Sequence, residues 1–572
     1  MSTPTSPVLS PLLSSSLSLD PKLQRFSALE SDYNAVPTYP VRPSYKAYHS
    51  QLRPASRVIV FDGSPDDAFQ PASVPIYQTA TFSQPSSTEF GAYDYTRSGN
   101  PTRTALERQV AMLENAHAAF AFCTGMAALN AVTRLLKAGD TILVGSDIYG
   151  GMHRLVSRVT AMYGVQVKYV QTWNLDEVEL ALQDPTVALV HMETPSNPLM
   201  RITDIRALSL LLKPRGIVLS VDSTMMTPLL QQPIFHGADI VVHSMTKFFG
   251  GHSDTMGGVV CVANEELAKK IAFFQNAEGT GLAPFDCWLF LRGIKTLAIR
   301  VSAAQHNASH VAAFLLRHPL PKTIYYAGLE PTRDEMLANT QVARDHKIHH
   351  GQAKGGGSVM SFTTGSVELS RKVIDSLRLF KLTVSFGYVD FVFAVKIPLF
   401  AKSKSGLTRD DFSIIHSSCN SLCEMPATLS HASIPAHERT LPDDLIRLSI
   451  GIEDVNDLLE DLQRAFALAM GTPLPESDPS PPSPLRGETP QPIKILRPPS
   501  TMHTSDRTIP EPPSMTPMVS SKRLQNNEEL EQLRRQIAKH DQNRTLLSTF
   551  VAGFAVALAL SSGVFAVMGR SR

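Results

Sequence analysis

Five strand-length runs dominate the first half of the chain: TILVGS (141–146), VQVKYV (165–170), VALVHME (187–193), GIVLSVD (216–222) and DIVVHS (239–244). They are rich in branched apolar residues and alternate with stretches of helical periodicity, such as 127–138 and 152–164. A strand that is apolar on both faces must be covered on both. The alternation therefore predicts an α/β fold, a mostly parallel sheet between layers of helices. Sheets of this kind bind ligands beyond the carboxyl ends of their strands. The polar residues that fall there are Tyr149, Glu193, Asp222 and the segment Ser244 to Lys247.

With 572 residues the chain exceeds one ordinary domain, and 43% apolar content allows a large core. A net charge of +1, with no basic run beside aromatics, argues against a nucleic-acid partner. The five cysteines are scattered and odd in number, which suits a reducing compartment. No metal-ligand spacing appears among them, and no metal is expected.

Composition divides the rest. Residues 1–55 are Ser/Pro-rich and predicted disordered, without the basic start and apolar core of a secretory signal. Residues 56–470 are globular in composition, and the Pro-dense stretch 471–521 reads as a linker. Residues 522–544 have helix-forming composition, with Leu530, Leu533 and Ile537 at coiled-coil-like spacing. Residues 545–569 carry no charge and are long enough to cross a bilayer, which takes about 20 apolar residues as a helix. The expectation is a C-terminal transmembrane helix, inserted after synthesis into an intracellular membrane with the globular part facing the cytosol. Without that tail the protein would be cytoplasmic.

Four motifs point to chemistry. In HSMTKFFGGHSD (243–254), Lys247 follows a buried strand. Burial there would favour a neutral amine able to form an imine with an aldehyde. Ser244 and Thr246 offer hydroxyls for a phosphate. Asp222 ends an apolar strand, and a buried carboxylate needs a partner such as a protonated pyridine nitrogen. Gly125 and Met126, in FCTGMAAL, sit where a strand turns into a helix, a place suited to phosphate. Tyr149 could stack on an aromatic ring. Each alone has an ordinary reading: a surface cation, a turn cap, a helix start, a packed ring. Their order along the chain is what carries weight.

In that order the sequence resembles the cystathionine γ-synthase/β-lyase family of pyridoxal 5′-phosphate (PLP) enzymes. The similarity runs from about Val58 to Met470 and includes ASVPIYQTATF (72–82), YDYTRSGNPTRTALE (93–107), ETPSNP (193–198), VVHSMTKFFGGHSDTMGGVV (241–260) and LIRLSIGIEDVNDLLEDL (445–462). The resemblance implies the PLP-dependent transferase fold type I. It would comprise an N-terminal arm contacting a neighbouring subunit (56–115), a PLP-binding α/β domain (116–310) and a smaller C-terminal α+β domain (311–470). It further implies that Lys247 forms the imine, Asp222 faces the pyridine nitrogen and Tyr149 stacks on the ring. Gly125, Met126, Ser244 and Thr246 would bind the phosphate, joined by Tyr95 and Arg97 from the neighbouring subunit. Asn197 would lie near the phenolic oxygen, while Ser385 and Arg447 would hold the substrate carboxylate. A homotetramer, built as a dimer of dimers, is implied likewise. His252 and Asp254 are read as structural.

Three stretches, 276–301, 352–362 and 424–435, are similar to eukaryotic cystathionine β-lyases. The expected reaction is β-elimination of L-cystathionine in methionine biosynthesis. A γ-lyase or γ-synthase is the alternative within the family. A catalytically impaired, membrane-tethered binding protein on the same fold is the alternative outside it. The latter draws on residues 390–419, an apolar insert that separates VSFGYV from NSLCEMP where family members run almost directly from one into the other. A retained intron would explain the insert. A genuine loop there would displace Ser385.

Overall fold

The computed structural model describes residues 52–60, 69, 71–382, 421–428, 430 and 441–473. Expectations for Ser385, the insert 390–419, the linker beyond residue 473, the helix-forming stretch 522–544 and the apolar run 545–569 fall outside these residues, as does nearly all of the N-terminal tail. No helix among the described residues is long and apolar enough to cross a membrane.

The expected sheet is present and larger than the five runs. Its strands are β1 (Ala118–Phe122), β2 (Thr141–Gly145), β3 (Gln166–Val170), β4 (Val187–Glu193), β5 (Val218–Asp222), β6 (Ile240–Ser244) and β7 (Gly258–Val262), in the order β1-β7-β6-β5-β4-β2-β3. Strands β3, β2, β4, β5 and β6 run parallel, whereas β7 is antiparallel to both β6 and β1. Alternate residues feed two separate cores: Leu143, Val190, Leu219 and Val241 pack on one face, and Ile142, Val144, Leu189 and Val242 on the other. Burial on both faces is why β2, β4, β5 and β6 are almost continuously apolar, whereas the edge strand β3 alternates and leaves Gln166 and Lys168 exposed. The chain order reverses between β2 and β4, which makes their carboxyl ends a switch point.

Two expected helices differ in detail. The first spans Gly125–Thr133, beginning two residues early because the Thr124 side chain caps it by accepting from the Ala127 amide. The second is not uniform. It starts as an α-turn at Gly150–Arg154, widens to a π-turn at Leu155–Val159 and tightens to a 3₁₀ turn at Thr160–Tyr163. The Ser157 hydroxyl donates to the His153 carbonyl at 2.7 Å, competing for a helical acceptor just where the pitch changes.

After the long helix Leu297–Arg317, a second sheet forms from β8 (Thr323–Tyr325), β9 (Val359–Thr363), β10 (Lys381–Leu382), β11 (Leu422–Glu424) and β12 (Ile446–Ser449), in the order β10-β11-β12-β9-β8. Helices Leu297–Arg317, Val367–Ser376 and Val455–Met470 share a core with it, built on Val311, Leu315, Phe362, Val373, Leu462 and Phe466. The last helix is capped by Asp454 and stops at Gly471, which takes the left-handed conformation (φ 68°) that glycine adopts without strain.

Candidate active site

A cavity of about 210 Å³ opens over the carboxyl ends of the large sheet. Each strand end delivers one polar group to its wall. Tyr149 follows β2, Glu193 closes β4, Asp222 closes β5, and Ser244 closes β6 just before Thr246 and Lys247. The turn after β1 adds Gly125 and Met126. They open the helix Gly125–Thr133, so their amides have no acceptor within it and present the positive end of its dipole to the cavity. Close packing holds this turn in place. A Cβ on Gly258, in β7, would lie 2.4 Å from the Thr124 carbonyl oxygen, so only glycine lets the two backbones approach. Gly151 does the same for Tyr149, whose ring carbon would sit 2.3 Å from an added Cβ.

Hydrogen bonds fix the carboxylates. The Thr224 amide donates to Asp222 Oδ1 at 2.9 Å, and the Tyr149 amide donates to Glu193 Oε1 at 2.8 Å. The Thr224 hydroxyl in turn accepts from the Ser244 amide at 2.8 Å. The Thr246 hydroxyl donates to the Gly257 carbonyl at 3.1 Å and accepts from the Gly257 amide at 3.0 Å. That hydroxyl retains one lone pair for any further donor.

Burial sets the electrostatics. Desolvation, reinforced by the Arg447 guanidinium, lowers the Lys247 ammonium to about 8. Burial raises the Asp222 carboxyl above its ordinary value, against the opposing pull of Thr224, His243 and Lys247. Glu193 is Asp222's direct neighbour in the β4–β5 register, and burial together with that second carboxylate pushes it well up. Two carboxyl groups side by side in a dry wall favour a cation, or one shared charge, between them and the ligand.

Arg447 enters from the other sheet. It is buried in β12, and one of its terminal nitrogens donates to both Glu424 Oε1 at 2.7 Å and Asn197 Oδ1 at 3.1 Å. Glu424 also accepts from the Ser430 hydroxyl at 2.7 Å. The guanidinium thereby joins β11 and β12 to the loop after β4, and Asn197, Ser430 and Arg447 all reach the cavity.

Nine of the twelve expected site residues line this one cavity: Gly125, Met126, Tyr149, Asn197, Asp222, Ser244, Thr246, Lys247 and Arg447. Tyr95 and Arg97 do not line the cavity of their own chain. Tyr95 is exposed and bridges Thr81, and Arg97 donates to Asn276 Oδ1 at 2.6 Å. The His252 ring bonds the Gly250 carbonyl at 2.7 Å and is not among the residues lining the cavity. Glu424 is a site residue that the sequence does not reveal. Its motif is visible, but its partner lies on another strand, and nothing in the spacing joins them.

The chain has close relatives of known kind. The family model "Cys/Met metabolism PLP-dependent enzyme" matches residues 55–405 and 411–467. Among curated proteins, the chloroplastic cystathionine beta-lyase of Arabidopsis thaliana is 48% identical over 403 residues, 70% of this chain and 78% of that protein. The cystathionine gamma-lyase of Bacillus subtilis (strain 168) is 40% identical over 404 residues, 70% of this chain and 96% of that protein. Among solved structures, cystathionine gamma-lyase from Lactobacillus plantarum complexed with L-serine superposes with a TM-score of 0.64 at 36% identity, covering 73% of this chain and 100% of that one.

Proposed function

Because the chain belongs to the Cys/Met metabolism PLP-dependent enzyme family, we propose that it catalyses β-elimination of L-cystathionine to homocysteine, pyruvate and ammonia. The observation that carries the β-assignment is the 48% identity to a cystathionine beta-lyase, against 40% for a cystathionine gamma-lyase over a similar length.

The residues of the cavity fit PLP. The helix start at Gly125 and Met126 suits a phosphate, with the Ser244 hydroxyl beside it and the Thr246 hydroxyl able to turn its hydrogen from the Gly257 carbonyl to a phosphate oxygen. Asp222, half-buried in the cavity wall and held by the Thr224 amide, suits a protonated ring nitrogen. Lys247, lowered to about 8, presents an amine that is partly neutral near physiological pH. When bound, PLP supplies an aldehyde that captures amines and a ring that accepts the electrons released at the substrate's Cα. Lys247 would hold it through Nζ and, with that amine free, would carry the substrate's Cα proton on the same atom. Tyr149, on the cavity wall, would pack against its ring. Arg447 orients the substrate carboxylate with a planar donor fork, and Ser385 assists it. Asn197 accepts from Arg447 on one side and would face the cofactor's phenolic oxygen on the other. Tyr95 and Arg97 complete the phosphate site of the neighbouring subunit in a dimer of dimers. Residues 545–569 act as a membrane anchor with the enzyme on the cytosolic side; extraction of the full-length chain by alkaline carbonate would argue against that.

The deciding assay incubates the purified protein with cystathionine and measures pyruvate against 2-oxobutyrate. Pyruvate with homocysteine is expected. 2-Oxobutyrate with cysteine would replace the β-reading with a γ-reading. Lys247→Ala should lower turnover about 10²–10⁴-fold, the usual contribution of a positioned proton carrier.

A further inference from the structure

We propose that Glu330, His346 and His350 form a binding site for one divalent transition-metal ion of the zinc class, separate from the cofactor cavity. His346 and His350 lie one turn apart on the helix Gln341–Gln352 and so project from the same face. Their ring centroids are 4.1 Å apart. Glu330 reaches them from the segment before the helix Arg333–Leu337, itself anchored by a reciprocal cap between Thr332 and Glu335. Its Oε2 is 3.3 Å from His346 Nε2. One ligand atom from each of the three side chains falls within 4.8 Å of the others.

His346 Nε2 supplies the independent sign of a ligand. It is closed off from solvent yet makes no hydrogen bond, although the Glu330 carboxylate is close by. A desolvated nitrogen that faces a carboxylate without a hydrogen bond is costly, and a metal ion between the two relieves that cost by taking its lone pair. Zinc binds imidazole nitrogen and carboxylate oxygen at about 2.0–2.2 Å, which puts tetrahedral ligand atoms roughly 3.3–3.5 Å apart. The three groups need to close by about 1–1.5 Å. Glu330 and His350 are exposed and free to make that movement, while His346 is held half-buried. Two imidazoles and one carboxylate favour zinc, cobalt, nickel or copper over calcium or magnesium, which prefer oxygen. Three protein ligands leave a fourth position for water. None of the three residues lines the cofactor cavity. Occupancy would fasten the Glu330 segment to the helix and raise the melting temperature with the logarithm of ion concentration above Kd.

The test uses tag-free protein with its cofactor bound, cleared of metal by chelation and then titrated with Zn(II) and, separately, Co(II). One equivalent of each is expected, with a visible Co(II) absorption of low coordination number and a rise in melting temperature. His346→Gln and His350→Gln should each remove that equivalent, while cofactor absorbance and cystathionine turnover stay at wild-type levels and report an intact fold. Glu330→Gln should weaken binding about tenfold or more. Absence of a stoichiometric site in the wild-type protein, or an equal site in either histidine variant, overturns the proposal. Unchanged affinity in Glu330→Gln overturns the three-ligand assignment.

Discussion

Glu424 and Arg447 stand directly opposite each other across the antiparallel β11–β12 pair, and their side chains meet at 2.7 Å with both residues buried. The guanidinium proposed to receive the substrate carboxylate is therefore already tied to a carboxylate of its own. Among the described residues Glu424 Oε2 is buried without a hydrogen-bond partner, and besides Arg447 the Ser430 hydroxyl donates to Oε1.

Arg447→Met should destabilise the protein by about 3–5 kcal/mol, because it strands Glu424 as an unpaired buried charge. The double variant Arg447→Met/Glu424→Leu should recover most of that loss, since replacing both members of a buried pair by apolar groups is often neutral. Chemical denaturation of the two variants checks this. Both should lose cystathionine turnover, which separates the pair's structural role from its proposed role in binding.

The Lys247 ammonium, lowered to about 8, makes cofactor loading pH-dependent. The neutral amine is the reactive form, so its population falls as pH drops below 8 and saturates above it. The rate at which cofactor-free protein captures PLP should fall about tenfold per pH unit below 8 and level off above it. Stopped-flow absorbance of the imine reads the rate directly. A midpoint near 10 would mean that burial does not depress this lysine.

Gly258→Ala should loosen the phosphate turn. The new Cβ would sit 2.4 Å from the Thr124 oxygen and 2.7 Å from Gly125 Cα, both backbone atoms with little room to yield. Overpacking of this kind costs about 1–3 kcal/mol. We expect a lower melting temperature and weaker PLP retention on dialysis. Gly216→Ala provides the contrast: no atom lies within 4 Å of its added Cβ, so only the left-handed backbone is strained and cofactor retention should be normal.

Deleting residues 390–419 should raise turnover of cystathionine relative to the full chain, because the insert lies five residues after Ser385 in a segment proposed to bind substrate. Parallel steady-state assays of the two proteins decide it. Equal or lower activity of the shortened chain would mark the insert as a functional part of the enzyme.

Much of the site is legible in the order of residues alone. Lys247, Asp222, Tyr149 and Gly125 each occupy a strand end or the turn after one, and strand ends can be read from where an apolar run stops. The family's motifs then supply Asn197 and Arg447. Less is legible in the helices. Residues 150–163 have a helical pattern, but the change of pitch arises from a hydroxyl competing for one carbonyl, which periodicity does not register. Strands β1 and β7 leave little local signature. AAFAF is short and alanine-rich, and GVVCV is embedded in a glycine-rich motif; what makes them strands is their pairing with each other and with β6.

Local order of apolar and polar residues was enough to establish a parallel α/β sheet, its ligand-binding end and the lysine and aspartate at its centre, because strand burial and strand ends are written in consecutive residues. Only the tertiary structure decided that Glu424 pairs with Arg447, that Asn197 shares the same nitrogen, and that Glu330 meets His346 and His350. Those are contacts between segments far apart in the chain. They depend on sheet register and on the packing of one layer against another, neither of which leaves a periodic trace along the sequence.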